Sequence, residues 1–269
     1  MDGKWSHREM TENHKIEFFQ GKWQPAVLVL MWPFLSFLFL GAILSSECGA
    51  EDFKIAIDIG HTKLSPGALS ARGVPEYQFN QSIGALLHQN LLKDQRFKGS
   101  FIINETGGAI SLSARAAIAN RRGAALFVSI HHDSVEPKDL SYWVYQGENR
   151  PYCDKFAGHS IFYSEENGNP LKSLVFAIIL GSEMLRQGFC PTLHHAEKFT
   201  GGDKDLIDRT RGIYKYNKLV VLKSTKMPAV LFECGIIKSR DEELIIRSSK
   251  YQNNIVKVLI NAINIYFVK

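Results

Sequence analysis

Short apolar runs rich in β-branched residues alternate with longer amphipathic stretches from Phe53 to the end of the 269-residue chain. Such runs are typical of buried strands, and helical spacing between them is typical of helices that cover a sheet. The predicted strands are 54–61, 100–104, 125–132, 159–164, 219–222 and 229–235. The predicted helices are 76–92, 111–123, 169–188 and 251–267. The pattern therefore predicts a single α/β domain with a largely parallel, helix-covered sheet.

Two segments do not fit this alternation. The polar stretch 189–217 is too long for a simple connector, because structureless loops of this length are uncommon in compact domains. We expect it to be a functional loop. Residues 136–154, which are rich in aromatic and polar side chains, are a candidate for covering or lining a substrate groove.

The run Ala26–Leu44 contains 19 residues without a charge. That length is close to the roughly 20 apolar residues needed to cross a bilayer. Cys48 and Ala50 are small residues at the −3 and −1 positions of a cleavage site before Glu51. We predict that residues 1–50 are a leader, either a cleaved signal peptide or an inner-membrane anchor. Residues 51–269 would then be an exported catalytic domain in the periplasm or cell envelope.

Residues 51–269 carry a formal net charge of +6, because the first 50 residues hold four of the 32 basic and five of the 27 acidic side chains. This surplus favours an anionic partner without choosing among nucleic acid, anionic lipid and acidic polymer. The chain has no Walker loop, GxGxxG or HExxH motif, which argues against nucleotide enzymes and the commonest zinc proteases. At most one disulfide can form after residue 50, and Cys153 with Cys190 is the pair considered.

Three predicted strands end at an imidazole or carboxyl group. His61 follows the first strand, His131 lies near the end of the third, and Glu233 lies in the last. Because sites in open α/β sheets lie beyond the carboxyl ends of the strands, we expect these groups to share one crevice. Glu76 opens the first helix, where the helix dipole favours a carboxylate.

His61, Glu76 and His131 are a two-histidine, one-carboxylate set of the type that binds catalytic zinc. Glu233 would remain unligated and could act as a general base on water. The residues alone leave another interpretation open, because a single strand-end histidine is usually a hydrogen-bonded surface group. Glu233 is harder to explain in that way, since a buried carboxylate is costly unless it is paired or bound to a metal.

Several segments in combination resemble the zinc-dependent N-acetylmuramoyl-L-alanine amidases of the bacterial cell wall. They are IDIGH (57–61), GVPE (73–76), LSARAAIANRRGAALFVSIHHD (112–133), LVVLKSTKMPAVLFECGIIKSRDEE (219–243) and the terminal QNNIVKVLINAINIYF. The resemblance implies a six-stranded, mostly parallel sheet with helices on both faces. It also implies a Zn²⁺ ion held by His61, Glu76 and His131, with Glu233 as the catalytic glutamate.

The chain departs from the usual pattern of that family beside these groups. Ile59 and Thr62 replace a proline and a glycine around the first histidine, and Asn104–Thr106 stand where a Thr-Arg pair is usual. His132 and Asp133 stand where Ala-Asn is common. None of the four chemical positions is lost, so we expect the departures to affect substrate fit more than activity.

Other polar residues receive supporting roles. We consider His194 and His195 as auxiliary ligands or as the lining of a substrate groove. Asp58 is expected to brace His61 or the strand end. Arg115 is expected to make structural hydrogen bonds, and Cys234 to be a buried, inert thiol.

The leading hypothesis is an exported zinc amidase that cuts the amide between N-acetylmuramic acid and L-alanine of peptidoglycan, in cell-wall turnover or cell separation. One alternative is a non-catalytic peptidoglycan-binding protein of the same fold. Another is a related zinc hydrolase that acts on a different amide. The expected partners are peptidoglycan, the membrane where segment 26–44 is retained, and a regulatory protein of unknown identity. No nucleic-acid partner is expected.

Overall fold

The computed structural model describes residues 52–196 and 204–268. Within them the strands are β1 (Ile55–Ile59), β2 (Phe101–Ile102), β3 (Leu126–Asp133), β4 (Ser141–Tyr145), β5 (Glu148–Tyr152), β6 (Ser160–Tyr163), β7 (Lys204–Asp208), β8 (Ile213–Tyr216) and β9 (Ala229–Ile236). The α-helices are α1 (Glu76–Leu91), α2 (Leu112–Arg121), α3 (Pro170–Arg186), α4 (Val220–Lys223), α5 (Arg240–Arg247) and α6 (Ser249–Phe267). Single 3₁₀ turns are formed by Gln95–Phe97, Pro137–Asp139 and His194–Ala196.

Seven of the described strands form one sheet, in the order β2-β1-β3-β9-β6-β8-β7. The strands β2, β1, β3 and β9 are parallel neighbours, and β6 is parallel to β8. The pairs β9–β6 and β8–β7 are antiparallel. Strands β4 and β5 form a separate hairpin. The parallel order matters for function, because it places the carboxyl ends of β1, β3 and β9 at the same edge of the sheet.

Both faces of the sheet are covered by helices. Successive side chains of a strand point to opposite faces. Ile55 and Ile57 of β1 therefore join one apolar cluster with residues of α1, α3 and α6. Ala56, which lies between them, joins a second cluster with residues of α2 and α4. Burial of apolar surface on both faces is the main driving force for this arrangement, and it confirms the predicted α/β domain.

The sheet differs from the predicted one in the number of its strands. It has seven strands in the described part of the chain rather than six, and it is mixed, with four of its six strand pairs parallel. The run 219–222, predicted as a strand, lies instead largely within helix α4. Val221 and Leu222 are buried in succession there, and periodicity does not distinguish a four-residue apolar strand from one turn of helix.

The stretch 189–217, predicted as a functional loop, contains strands β7 and β8. Strand β7 lies at the sheet edge and has the mostly polar sequence KDLID. Edge strands are commonly polar or charged, which limits unwanted pairing, so apolar periodicity did not reveal this one. Strand β8 supplies the buried residues Ile213 and Tyr214. The hairpin of β4 and β5 was missed for a similar reason, since several of its side chains are exposed.

The predicted leader 1–50, with its hydrophobic segment 26–44 and the cleavage position before Glu51, lies outside the described residues. The division between a leader and a catalytic domain therefore stays a prediction. Among the helices of residues 52–196 and 204–268, none has the length and apolar character needed to cross a membrane.

Candidate metal centre

Three side chains meet at the carboxyl edge of the central strands. His61 lies two residues beyond β1, His131 lies in β3, and Glu76 opens α1. The Nε2 atom of His61 lies 2.9 Å from Oε2 of Glu76, and the Nδ1 atom of His131 lies 3.0 Å from Oε1 of Glu76. One ligand atom from each residue lies within 4.8 Å of the other two. The structure thus brings together the three predicted ligands, and their function as ligands stays a prediction.

Two glycines allow these side chains to approach closely. Gly67 has a positive φ of 80°, and a Cβ atom there would lie 2.5 Å from Oε2 of Glu76 and 2.6 Å from a ring carbon of His61. A Cβ atom on Gly60 would lie 2.4 Å from the His131 ring. His61 itself has a φ of 67°, which is uncommon for a residue other than glycine. A strained backbone at a cluster of this kind is typical of functional sites.

Glu76 is buried and accepts several hydrogen bonds. The Nδ2 group of Asn80 donates to Oε1 at 3.2 Å, and the backbone N–H of Ala68 donates to Oε2 at 3.3 Å. Burial alone would raise the pKa of Glu76, but the hydrogen bonds from His131 and His61 outweigh it and hold that pKa well below its ordinary value. The carboxyl group is therefore ionised at neutral pH, as a metal ligand must be.

Asn80 also holds His132, the neighbour of His131. The Oδ1 atom of Asn80 accepts from Nδ1 of His132 at 2.8 Å, and the His132 ring packs 5.5 Å from the ring of Phe79. Burial lowers the pKa of His132 to about 3, although the charge of Glu76 opposes this shift. The side chains of His131 and His132 leave the strand on opposite sides. His132 is therefore a packing residue on the side of β3 away from His131.

Arg115 of α2 ties the end of β1 to the backbone of His61. Its guanidinium donates to Oδ1 of Asp58 at 2.6 Å and to the carbonyl oxygens of Ile59 and His61 at 2.7 and 2.5 Å. The hydroxyl of Ser129 donates to the other oxygen of Asp58 at 2.8 Å. Asp58 thus braces the strand end, as predicted, and it does so through Arg115 rather than through the imidazole of His61.

Glu233 lies opposite His131 in the parallel register of β3 and β9. Its Oε2 atom is buried and makes no hydrogen bond within the described residues. Burial, together with the charges of Asp133 and Glu76, raises the pKa of Glu233 well above its ordinary value. A buried carboxyl group with a perturbed pKa is a candidate for proton transfer. Glu233 is not one of the three clustered donors, and its role as the catalytic glutamate stays a prediction.

A second cluster contains Asp133, His194 and His195, each of which places one ligand atom within 4.8 Å of the other two. Sequence reasoning singled out the two histidines but treated Asp133 only as a departure beside His131. The structure brings the 3₁₀ turn His194–Ala196 back to the end of β3. The histidines therefore contact Asp133 and form a group separate from the His61 cluster.

The three cysteines of the described residues belong to neither cluster. Cys153, Cys190 and Cys234 are free thiols, so the pairing considered for Cys153 and Cys190 is absent. Burial raises the pKa of Cys234 well above its ordinary value. An apolar site that suppresses the thiolate makes a thiol unreactive, as predicted for Cys234.

The chemistry of His61, Glu76 and His131 fits a divalent transition-metal ion. Two imidazole nitrogens and one ionised carboxylate converge, and the side-chain amide of Asn80 donates a hydrogen bond to that carboxylate. Catalytic zinc sites use three protein ligands of these types and leave further positions open. Calcium and magnesium prefer oxygen ligands throughout, so they fit this donor set poorly.

Comparison with known proteins places the chain in a family. The sequence model described as N-acetylmuramoyl-L-alanine amidase matches residues 55–265. The chain therefore belongs to the N-acetylmuramoyl-L-alanine amidase family, which confirms the resemblance drawn from the sequence.

A relative from Haemophilus influenzae, named "Probable N-acetylmuramoyl-L-alanine amidase AmiB", is 28% identical over 246 residues. The match covers 84% of this chain and 54% of the relative, so the chain spans about half the length of that protein.

Solved structures of other amidases share the fold. The N-acetylmuramoyl-L-alanine amidase from Clostridium difficile 630 has a TM-score of 0.61 and 22% identity, with 80% of this chain and 97% of that chain covered. The CwlD amidase from Clostridioides difficile, solved in complex with the GerS lipoprotein, has a TM-score of 0.60 and 20% identity, with 80% and 98% covered. At these identities the likeness supports the α/β fold.

Proposed function

We propose that this chain is a zinc-dependent hydrolase that cleaves the amide between N-acetylmuramic acid and the L-alanine of the peptidoglycan stem peptide. The observation that carries the proposal is the convergence of His61, Glu76 and His131 beside the buried carboxyl group of Glu233. Membership of the amidase family supplies the substrate class.

His61, Glu76 and His131 would hold the zinc ion. When bound, zinc supplies a Lewis acid that polarises the amide carbonyl and lowers the pKa of water. Among the protein's own groups, Asn80 and the backbone N–H of Ala68 orient the Glu76 carboxylate. Arg115 fixes the backbone on either side of His61. These contacts hold two of the three donors in place before substrate arrives, which limits the reorganisation needed for catalysis.

Glu233 is the proton-transfer group in this proposal. Its Oε2 atom has no hydrogen-bond partner in the described residues, and its raised pKa makes the ionised carboxylate a stronger base toward the attacking water. Glu233 takes a proton from that water while the new C–O bond forms at the amide carbon. It then delivers a proton to the alanine nitrogen as the C–N bond breaks. The products are the lactyl carboxylic acid of the muramic residue and a stem peptide with a free amino terminus.

The place of action follows from the substrate. Peptidoglycan lies in the cell envelope, so we propose that the chain is exported to the periplasm or envelope, with residues 1–50 as the leader. Segment 26–44 would then be either removed or kept as a membrane anchor. A regulatory protein partner is also proposed. One structural neighbour, the CwlD amidase, was solved in complex with the GerS lipoprotein, which supports this proposal.

Digestion of purified peptidoglycan by the full-length, zinc-supplied chain tests the function. The released ends are identified by mass spectrometry, and the expected products are stem peptides that begin with L-alanine. The Glu233→Gln variant serves as the matched control and should release far less product. Unchanged peptidoglycan that still retains the protein would support the non-catalytic binding alternative. Glycan fragments without free L-alanine termini, or cleavage of other amides alone, would contradict the proposed bond specificity.

A further inference from the structure

Asp133, His194 and His195, here called the Asp133 cluster, converge on one oxygen atom. The Nε2 atoms of His195 and His194 lie 2.5 and 3.4 Å from Oδ2 of Asp133. The backbone N–H of Ser134 donates to the other oxygen, Oδ1, at 2.8 Å. That bond fixes the carboxylate so that Oδ2 faces both histidines.

The side chains of the cluster are mostly shielded from solvent, and one of their atoms lacks a hydrogen-bond partner. The exposed fractions of the His194, His195 and Asp133 side chains are 4%, 11% and 12%. Within the described residues, Nε2 of His194 makes no hydrogen bond, while its Nδ1 atom lies 3.0 Å from the hydroxyl of Thr192. Leaving a buried ring nitrogen unsatisfied is costly.

The orientation of the His194 ring indicates what kind of partner its Nε2 atom would take. A neutral imidazole carries one proton and one lone pair, on different ring nitrogens. When Nδ1 donates to Thr192, that lone pair on Nε2 points toward the carboxylate of Asp133. A cation between the two acceptors would remove their repulsion.

We propose that the Asp133 cluster is a second binding site for a divalent transition-metal ion. Two imidazole nitrogens and a carboxylate oxygen are donors suited to zinc, cobalt or nickel. His131 and Asp133 are two residues apart in β3, so their backbone positions are about 7 Å apart along the strand. The inference is independent of the proposed amidase activity, because it concerns metal bound by these three residues alone.

Lys204 is the group that competes with a metal in this site. Its Nζ atom lies 3.0 Å from Nδ1 of His195 and donates to it. A histidine bound to metal through Nε2 instead carries a proton on Nδ1 and donates it to an acceptor. Metal binding therefore requires Lys204 to turn away from His195. Lys204→Gln would remove the positive charge and provide an acceptor for the Nδ1 proton.

Metal content of the full-length chain tests the proposal directly. The protein is purified in detergent, depleted with a chelator, equilibrated with Zn²⁺ and freed of unbound metal. We expect two equivalents in the wild type and one in His194→Ala or His195→Ala. His88→Ala is the matched control, because His88 belongs to neither cluster and contacts the Ser100 carbonyl oxygen at 3.0 Å. That variant should retain two equivalents.

Titration with Co²⁺, followed by visible absorption, provides a test in which no ligand is removed. Lys204→Gln should bind the second equivalent about 10-fold more tightly than the wild type. His61→Ala should lose the equivalent bound at His61, Glu76 and His131 and keep the equivalent bound at the Asp133 cluster. A failure of one site can therefore be distinguished from a failure of the other. Circular dichroism identifies any variant that does not fold. If a histidine variant fails to fold, the Co²⁺ titration of Lys204→Gln still tests whether the second site binds metal. A single equivalent in both wild type and Lys204→Gln, or two equivalents in a His194→Ala, His195→Ala double variant, would overturn the proposal.

Discussion

The carboxyl group of Glu233 is expected to move protons rather than to bind metal, and Glu233→Gln separates the two roles. Glutamine keeps the shape of the side chain but cannot accept and return a proton. We expect the variant to keep the metal at His61, Glu76 and His131 and to lose about 10²–10⁴-fold in turnover. The loss should lie near the upper end, because an amine leaves poorly unless it is protonated.

Zinc content, melting temperature and hydrolysis rate of Glu233→Gln should be measured on one preparation. Asp241→Asn makes the same change from carboxylate to amide at an exposed residue of α5, and it should leave all three values unchanged. Turnover close to the wild-type rate in a zinc-loaded Glu233→Gln protein would rule out the proton-transfer role.

Gly67 is the residue at which close packing of the His61 cluster can be tested without removing a donor. A methyl group there would press on Oε2 of Glu76 and on the His61 ring. We expect Gly67→Ala to weaken metal affinity by about 10–100-fold, the range typical of groups that orient ligands. Gly147→Ala is the matched control, because Gly147 has nearly the same φ, 81° against 80°, and open space around its Cβ position.

Chelator competition gives the metal affinity of both glycine variants. The two substitutions share the cost of placing alanine at positive φ, so any difference between them reports crowding at the cluster. Equal affinities for Gly67→Ala and Gly147→Ala would show that the cluster adapts to the added methyl group.

At the scale of elements, the contact between α2 and the end of β1 depends on the buried ion pair of Arg115 and Asp58. Removing one partner of such a pair leaves an uncompensated buried charge and typically costs about 3–5 kcal/mol. We expect Arg115→Met to lower the free energy of unfolding by that amount. It should also weaken metal binding, because the His61 backbone loses its support.

Urea denaturation of a double-mutant cycle checks this prediction. Adding Asp58→Asn to Arg115→Met removes the orphaned charge and should recover part of the lost stability. A loss in the double variant equal to the sum of the two single losses would show that Arg115 and Asp58 do not act as a pair.

The central elements could be predicted from the sequence because they are buried on both faces. Strands β1, β3 and β9 are mostly apolar and begin with apolar runs, and their parallel order brings His61, His131 and Glu233 to one edge. Parallel pairing of neighbours then forces the convergence that strand-end reasoning expected. The peripheral elements could not be predicted in this way. Strand β7 is polar because it lies at the sheet edge, and the apolar run of α4 is too short to reveal its period.

The Asp133 cluster could not be predicted from the sequence, and the reason differs from that for the peripheral strands. More than 60 residues separate Asp133 from His194 and His195, and no periodic pattern links them. The structure places the 3₁₀ turn His194–Ala196 against Asp133 at the end of β3. His194 Nδ1 meets Thr192, and His195 Nε2 meets Asp133. Contacts of this kind follow from tertiary packing alone.

At the scale of the whole molecule, the charge balance of residues 51–269 bears on how the protein would dock on its substrate. The formal net charge of +6 favours association with an anionic polymer, and salt weakens such long-range attraction. A chemical step at a buried site is screened much less, because the groups involved are close together and partly shielded from solvent. Docking on intact cell-wall material and hydrolysis of a small fragment should therefore respond differently to ionic strength.

We expect salt to weaken binding to whole peptidoglycan sacculi more than it slows cleavage of short muropeptides. Between about 0.1 M and 1 M salt, the Debye length falls from about 10 Å to about 3 Å, which removes most attraction between exposed charges.

Binding is measured by co-sedimentation of the Glu233→Gln variant with sacculi, so that hydrolysis does not alter the polymer during the assay. Cleavage is measured with the wild-type chain on muropeptides at the same salt concentrations. Potassium chloride and potassium glutamate at equal ionic strength distinguish screening from specific anion effects. If binding and cleavage decline in parallel over this range, the charge surplus has no part in docking.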